Sequence, residues 1–225
     1  MSRSRLKNLS LDRLGDIPTP PPRRPVHAKP ATSAARAPSE VRLIGGLWKR
    51  SKLPVLDAEG LRPTPDRVRE TLFNWLGQDL GGWRCLDAFA GSGSLGFEAA
   101  SRGADEVVLL ERDARLLKSL KTVQERLQAT QVRIDGADAL AWMARCAPAS
   151  FELVFIDPPF QAQAFEAAVN AAQRVVVPEG FVYLEADRAF TADDFAPGLR
   201  LHRQGRAGAV HFHLFQRVGA LSTGS

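Results

Sequence analysis

Between Arg84 and Glu185 the chain alternates short, nearly uniform apolar runs with longer segments of helical period, and few folds accept that pattern. The runs are Arg84 to Phe89, Glu106 to Glu111, Val132 to Ile134, Phe151 to Ile156 and Phe181 to Glu185. Runs without polar alternation predict strands buried on both faces, which requires a parallel sheet covered by helices. The helices are predicted from the glycine-rich turn after Phe89 to about Arg102, from Asp113 to about Gln128, from about Ala139 to Cys146 and from about Gln163 to Arg174. Leu116, Leu117, Leu120, Val123 and Leu127 form the apolar stripe of the second. After Glu185 the alternation stops, and Leu199 to His202 with Val210 to Arg217 predict a closing hairpin around QGRAGA. His211 and His213 share one face there and could form a metal pair, but with no third ligand near in sequence they are expected to be strand-surface residues, and no metal is expected.

Ahead of this body, Val41 to Ile44 and Leu53 to Leu56 predict a small β-hairpin joined by the basic segment GGLWKRSK. Thr64-Pro65-Asp66 predicts a helix start, with Thr64 as cap and Asp66 at the positive end. Val68, Leu72, Trp75 and Leu76 make its buried face, and Arg67, Glu70 and Asn74 its outer one.

Charge divides the chain the same way. Residues 1 to 40 hold eight basic and three acidic side chains, which equals the whole molecule's net charge of +5, and residues 76 to 225 are slightly acidic. Seven of the 15 prolines also fall in residues 1 to 40, with few large apolar side chains, so this segment is expected to be an extended, disordered tail. Three readings stay open for it: a solvated tail, a polyanion-tethering arm, or an organellar transit peptide. At 225 residues the chain is long enough for one α/β domain with an appendage. No apolar run approaches the roughly 18 residues of a membrane helix. Neither a secretory signal in MSRSRLKNLSLDRLGD nor a disulfide scaffold from Cys85 and Cys146 is evident. A reducing cytoplasm and no membrane partner are therefore expected.

Chemistry concentrates in two places. The first is Asp87-Ala-Phe89-Ala-Gly91-Ser-Gly93-Ser-Leu-Gly96, a glycine loop between strand and helix. Gly91 and Gly93 let backbone approach a ligand, and Gly96 lets the helix pack close to the sheet. The same spacing serves nicotinamide dinucleotides, and Glu111, twenty residues after Gly91, could bind ribose hydroxyls for either ligand. Asp87 separates the two, because a carboxylate at the end of the first strand would repel a pyrophosphate. It suits a ligand with a cationic end, such as S-adenosyl-L-methionine. Asp138, in GADAL, reads equally as an adenine contact or as an N-cap.

The second is Asp157-Pro158-Pro159-Phe160, directly after the strand FELVFI. Successive prolines remove two N–H donors and fix carbonyls as rigid acceptors, and Phe160 offers a flat face. Acceptors beside an aromatic plane match an exocyclic amine on a planar base. Hydrogen bonds from both its N–H groups, to the Asp157 carboxylate and the Pro158 carbonyl, favour a pyramidal nitrogen whose lone pair can attack a methyl carbon. Asp157 can then take the proton that attack makes acidic.

D-x-F-x-G-x-G joined to D-P-P-F resembles the class I amino-methyltransferases, and Val41 to Gly77, with its RPTPDRVR block, is similar to the N-terminal portion of the RsmD-type 16S rRNA guanine-N2-methyltransferases. The resemblance runs from about Val41 to Arg217. It implies a Rossmann-like, seven-stranded, mostly parallel sheet ending in an antiparallel hairpin. It also implies S-adenosyl-L-methionine as donor and guanine 966 of 16S rRNA, in the small ribosomal subunit or its assembly intermediate, as acceptor. Asp157, Pro158, Pro159 and Phe160 would be catalytic; Asp87, Phe89, Gly91, Gly93, Glu111, Arg112, Asp138 and Ala139 would hold the donor. Arg50 and Lys52 of the hairpin, with Arg62, Thr64, Arg67 and Arg69 of the block, would contact RNA. The expected organisation is a tail (1–40), a basic hairpin (41–61), a methyltransferase domain (62–217) and a flexible end (218–225), acting as a monomer. An adenine-N6-methyltransferase and a noncatalytic rRNA-binding assembly factor are the alternatives.

Overall fold

The computed structural model describes residues 40–56, 64–158 and 162–219. The tail up to residue 39, Arg62, Pro159, Phe160 and the last six residues lie outside them, and with them the expectations placed there. Strands β1 (Glu40–Arg42) and β2 (Lys52–Pro54) pair antiparallel, with Val41 opposite Leu53 and both buried. Helix α1 (Asp66–Trp75) follows. The body then runs β3 (Arg84–Asp87), α2 (Ser94–Ser101), β4 (Glu106–Glu111), α3 (Ala114–Leu127), β5 (Val132–Gly136), α4 (Ala139–Arg145), β6 (Phe151–Ile156), α5 (Ala162–Val175), β7 (Val176–Ala186), β8 (Leu199–Ala207) and β9 (Val210–Arg217).

Seven strands form one sheet in the order β5-β4-β3-β6-β7-β9-β8. Only β9 runs against the others, pairing antiparallel with β7 and β8. Alternating side chains of the buried strands feed two cores. Cys85, Val107, Leu109, Leu153, Phe155 and Tyr183 point to one face, where they meet α1, α2 and α3 together with Leu43 and Leu53 of the β1–β2 hairpin. Leu86, Val108, Leu110, Val154, Ile156 and Val182 point to the other, under α4 and α5. No helix among the described residues is long and apolar enough to cross a membrane.

The β1–β2 hairpin is bound to α2 by charge as well as by packing. Glu98, fully buried, accepts hydrogen bonds from the backbone of Ile44 and Gly45, each at 2.8 Å, from Arg102 at 2.8 Å and from Arg69 at 3.4 Å. Ser101 adds two more, donating to the Gly45 carbonyl and accepting from the Trp48 amide. Arg69 is also fully buried and reaches the Arg42 carbonyl and Asp66, both at 2.7 Å. A buried charge with these partners cannot meet RNA, so the expected RNA contact by Arg69 is corrected to a structural ion pair.

Thr64 also departs from expectation. Pro65 occupies the N-cap position of α1 with no side-chain cap, and Thr64 is buried with its side chain directed at Glu185. The closing hairpin turns at Gly208 and Ala209, later than expected, because Gln204, Gly205 and Arg206 continue the β8 ladder opposite β9. His213 is not a surface residue: β9 lies inside the sheet, and the buried ring accepts the Phe190 amide at Nε2, 3.0 Å away. Burial lowers its pKa and keeps it neutral.

Candidate active site

The chain visits β3, β4 and β5 outward on one side, then crosses back to lay β6 against the free edge of β3. Ligands in open α/β sheets bind at such a reversal, beyond the carboxyl ends of the strands. An acid stands at the end of each of four neighbouring strands there: Glu111 on β4, Asp87 on β3, Asp157 directly after β6 and Glu185 on β7.

The glycine loop is held by backbone bonds from both neighbouring strands, Ala88 to the Phe155 carbonyl at 3.1 Å and Ala90 to that of Leu110 at 3.0 Å. Gly91 and Gly93 have φ of 53° and 77°, a region where side chains are strained. A methyl group on Gly96 would sit 2.1 Å from Leu109, so α2 approaches the sheet closely only because that residue is glycine. One oxygen of Glu111 accepts the Gly91 amide at 3.0 Å and the other accepts those of Arg112 and Asp113 at 2.7 and 2.8 Å. Arg112 therefore enters the site through its backbone, with its side chain exposed.

Asp87 is 1% exposed. Its Oδ2 accepts the Gly96 amide at 3.0 Å, while Oδ1 is buried with no hydrogen-bond partner among the described residues. The Phe89 amide favours its ionised form without completing a bond by geometry. Burial, aided by Glu111 and Glu185, pushes the carboxyl up to about 7. Asp157, partly exposed at the end of β6, is pushed well above the ordinary carboxylate range by burial and by Glu185 and Asp87. An orphaned buried carboxylate oxygen inside a ring of acids is a receptor for a cation. The ammonium and sulfonium groups of S-adenosylmethionine fit that requirement, with Glu111 placed to receive hydroxyls at the next strand end. Replacing Glu111 by alanine is expected to weaken donor binding roughly 10- to 100-fold, since a charge-assisted acceptor is lost; calorimetry with S-adenosylmethionine checks it.

Asp138 caps α4 through the Ala141 amide at 2.9 Å, and Ala139 behind it is buried. Pro158 is buried beside Asp157. Of the described RNA candidates, Arg50, Lys52 and Arg67 are exposed, with Lys52 paired to Glu40 at 2.7 Å. Two residues of the acidic cluster do not figure among the expected site residues, Glu185 and Tyr183, whose hydroxyl donates to Glu185 at 2.9 Å. The signal was present: Glu185 ends an apolar run as Asp87 and Glu111 do, and Tyr183 is the chain's one tyrosine.

A family profile described as conserved hypothetical protein 95 matches residues 41–216. The ribosomal RNA small subunit methyltransferase D of Escherichia coli K12 is 39% identical over 180 residues, covering 79% of this chain and 90% of that protein. Its namesake from Haemophilus influenzae is 39% identical over 190 residues, covering 80% and 95%. A solved Escherichia coli structure, the protein yhhF, superposes with a TM-score of 0.72 at 36% identity, covering 80% of this chain and 99% of that one. With the profile spanning the hairpin, the glycine loop and the sheet, the chain belongs to the RsmD family of S-adenosylmethionine-dependent rRNA methyltransferases.

Proposed function

We propose that this protein transfers a methyl group to the exocyclic N2 of guanine 966 in 16S rRNA, within the small ribosomal subunit or its assembly intermediate, as a cytoplasmic monomer. One observation carries the reading: Asp157 stands at the strand end adjoining the orphaned carboxylate of Asp87, so an amine acceptor and a cationic donor meet at the switch point of the sheet. The relatives named for the small-subunit RNA support the choice of substrate.

S-adenosylmethionine, when bound, supplies an electrophilic methyl carbon. Asp87 would hold the cationic end and Glu111 the ribose. Asp157 and the Pro158 carbonyl accept the two amine hydrogens, which aims the nitrogen lone pair along the transfer line, and Asp157 then takes the proton. Phe160 would stack on the base. Arg50, Lys52, Arg62 and Arg67 would supply phosphate contacts that orient the target.

Incubation with labelled donor and small subunits from cells lacking the enzyme, followed by mapping of the label, tests the reading. Label on guanine N2 is the expected result; label on adenine, or none, overturns it. Deleting residues 1–40 is expected to leave turnover at saturating subunits unchanged while flattening the salt dependence of KM, because the tail's excess of cations acts through counterion release. Kinetics at two salt concentrations check this.

A further inference from the structure

Asp157 must accept a proton from a nitrogen, and an isolated carboxylate is a weak base for that task. Its surroundings answer the difficulty. In the β6–β7 ladder Phe155 pairs with Tyr183 and Ile156 with Leu184, so the next step of the register sets Asp157 beside Glu185. Glu185 is 4% exposed. Three groups hold it: the Tyr183 hydroxyl at 2.9 Å, the side chain of Thr64 and the charge of the buried Arg69. Thr64 and Arg69 belong to the RPTPDRVR block, which thus reaches the active site from inside the protein.

The charged and titratable groups around Asp157 are Glu185 and Tyr183 from β7 and Asp87 from β3, with Glu111 of β4 acting on Asp87, and Thr64 and Arg69 acting on Glu185. We propose that Glu185 is a positioning residue for the proton transfer: held by Tyr183, Thr64 and Arg69 at the strand end beside Asp157, its negative charge makes Asp157 a stronger proton acceptor, without touching the substrate. Burial raises both carboxyls above the ordinary range, but Thr64, Tyr183 and Arg69 offset part of that at Glu185 and nothing comparable does so at Asp157, so Glu185 is the first of the pair to ionise. In the reaction the guanine nitrogen forms the N–C bond with its lone pair while the C–S bond breaks with its pair left on sulfur. The nitrogen, now cationic, gives a proton to Asp157, which releases it to water.

This inference rests on the guanine-N2 reading above. The test is single-turnover methylation of unmodified small subunits by wild type and Glu185→Gln, from about pH 5.5 to about pH 9, together with the protons released when each binds S-adenosylmethionine, read by calorimetry in two buffers. Without the neighbouring charge Asp157 ionises more easily and is a weaker base. The acid limb of the rate profile is expected to move down by about one pH unit, and the plateau to fall by about three- to tenfold. The variant is also expected to release fewer protons on binding the donor near pH 7, its acids being already ionised. An acid limb and a proton count both equal to wild type overturn the proposal, even if the rate falls, because a purely structural defect moves neither. If the Gln variant does not fold, Glu185→Asp retains the charge but draws it back by one methylene, and a smaller shift in the same direction is required. Wild type that methylates no guanine would instead sink the functional reading itself.

Discussion

Replacing Asp157 with alanine is expected to lower the single-turnover rate by about 10²- to 10⁴-fold, the range of a lost general base that also orients its substrate. Donor affinity should change little, because Asp87 and the Glu111-supported loop remain. The same substitution carries a second, opposite signature. Burial and two neighbouring acids raise the Asp157 carboxyl in the folded protein well above its unfolded value. The native state therefore binds this proton more tightly than the unfolded chain does. Wild-type stability contributed by the group falls as pH rises from the unfolded value through the folded one. The alanine variant escapes that loss, so its melting temperature should gain on wild type between about pH 4 and neutrality. Melting curves at acid and neutral pH check the sign. A variant that is both inactive and increasingly unstable toward neutral pH would mean that Asp157 supports the fold rather than the reaction.

Glu98→Ala is expected to be the most destabilising single change, by about 3–5 kcal/mol, because it strands two buried cations at once. Arg69 and Arg102 lose their common carboxylate, and the amides of Ile44 and Gly45 lose their acceptors. Arg102, stacked over Phe73 at 4.7 Å, has little room to swing toward water. For a chain of this length the melting temperature should drop by roughly 8–15 °C. Glu98→Gln keeps oxygen acceptance and shape but not charge, and should fall between. Urea titration of the three proteins measures the series, and a loss below about 1 kcal/mol for alanine would show that the pair is solvated in solution.

Much of this architecture is legible in the sequence, for definable reasons. β6 spans Phe151–Ile156 as the sequence predicts, because a nearly continuous apolar run ending in Asp-Pro-Pro admits one boundary. The stripe of α3 packs as its period requires, with Asp113 capping the first turn through Arg115 and Leu116. What was lost is instructive. The charge of Arg69 points to RNA contact, yet the residue precedes Leu72, Phe73 and Leu76 by three, four and seven residues, and so lies on the buried stripe. Charge outweighed period in that reading, and period was correct. His213 reads as a strand-surface residue, whereas the segment after β7 covers that face of the sheet and Phe190 donates its amide to the ring. Glu185 ends its apolar run as Asp87 and Glu111 do, but which strand ends stand side by side is a fact of topology that no local pattern contains.

The seat of the N-terminal hairpin also has a bearing on the order in which the protein is made. Its partners on α2 lie 53 to 56 residues downstream, and Gly46 packs so tightly against Ser101 that an added methyl group would sit 1.7 Å from the carbonyl oxygen. During translation at about 5–20 residues per second, the hairpin leaves the ribosome several seconds before anything exists for it to dock on. Residues that emerge early are thus secured late, by a helix still to be synthesised, and an enzyme that methylates ribosomal RNA seats its hairpin only after the ribosome has delivered the glycine loop.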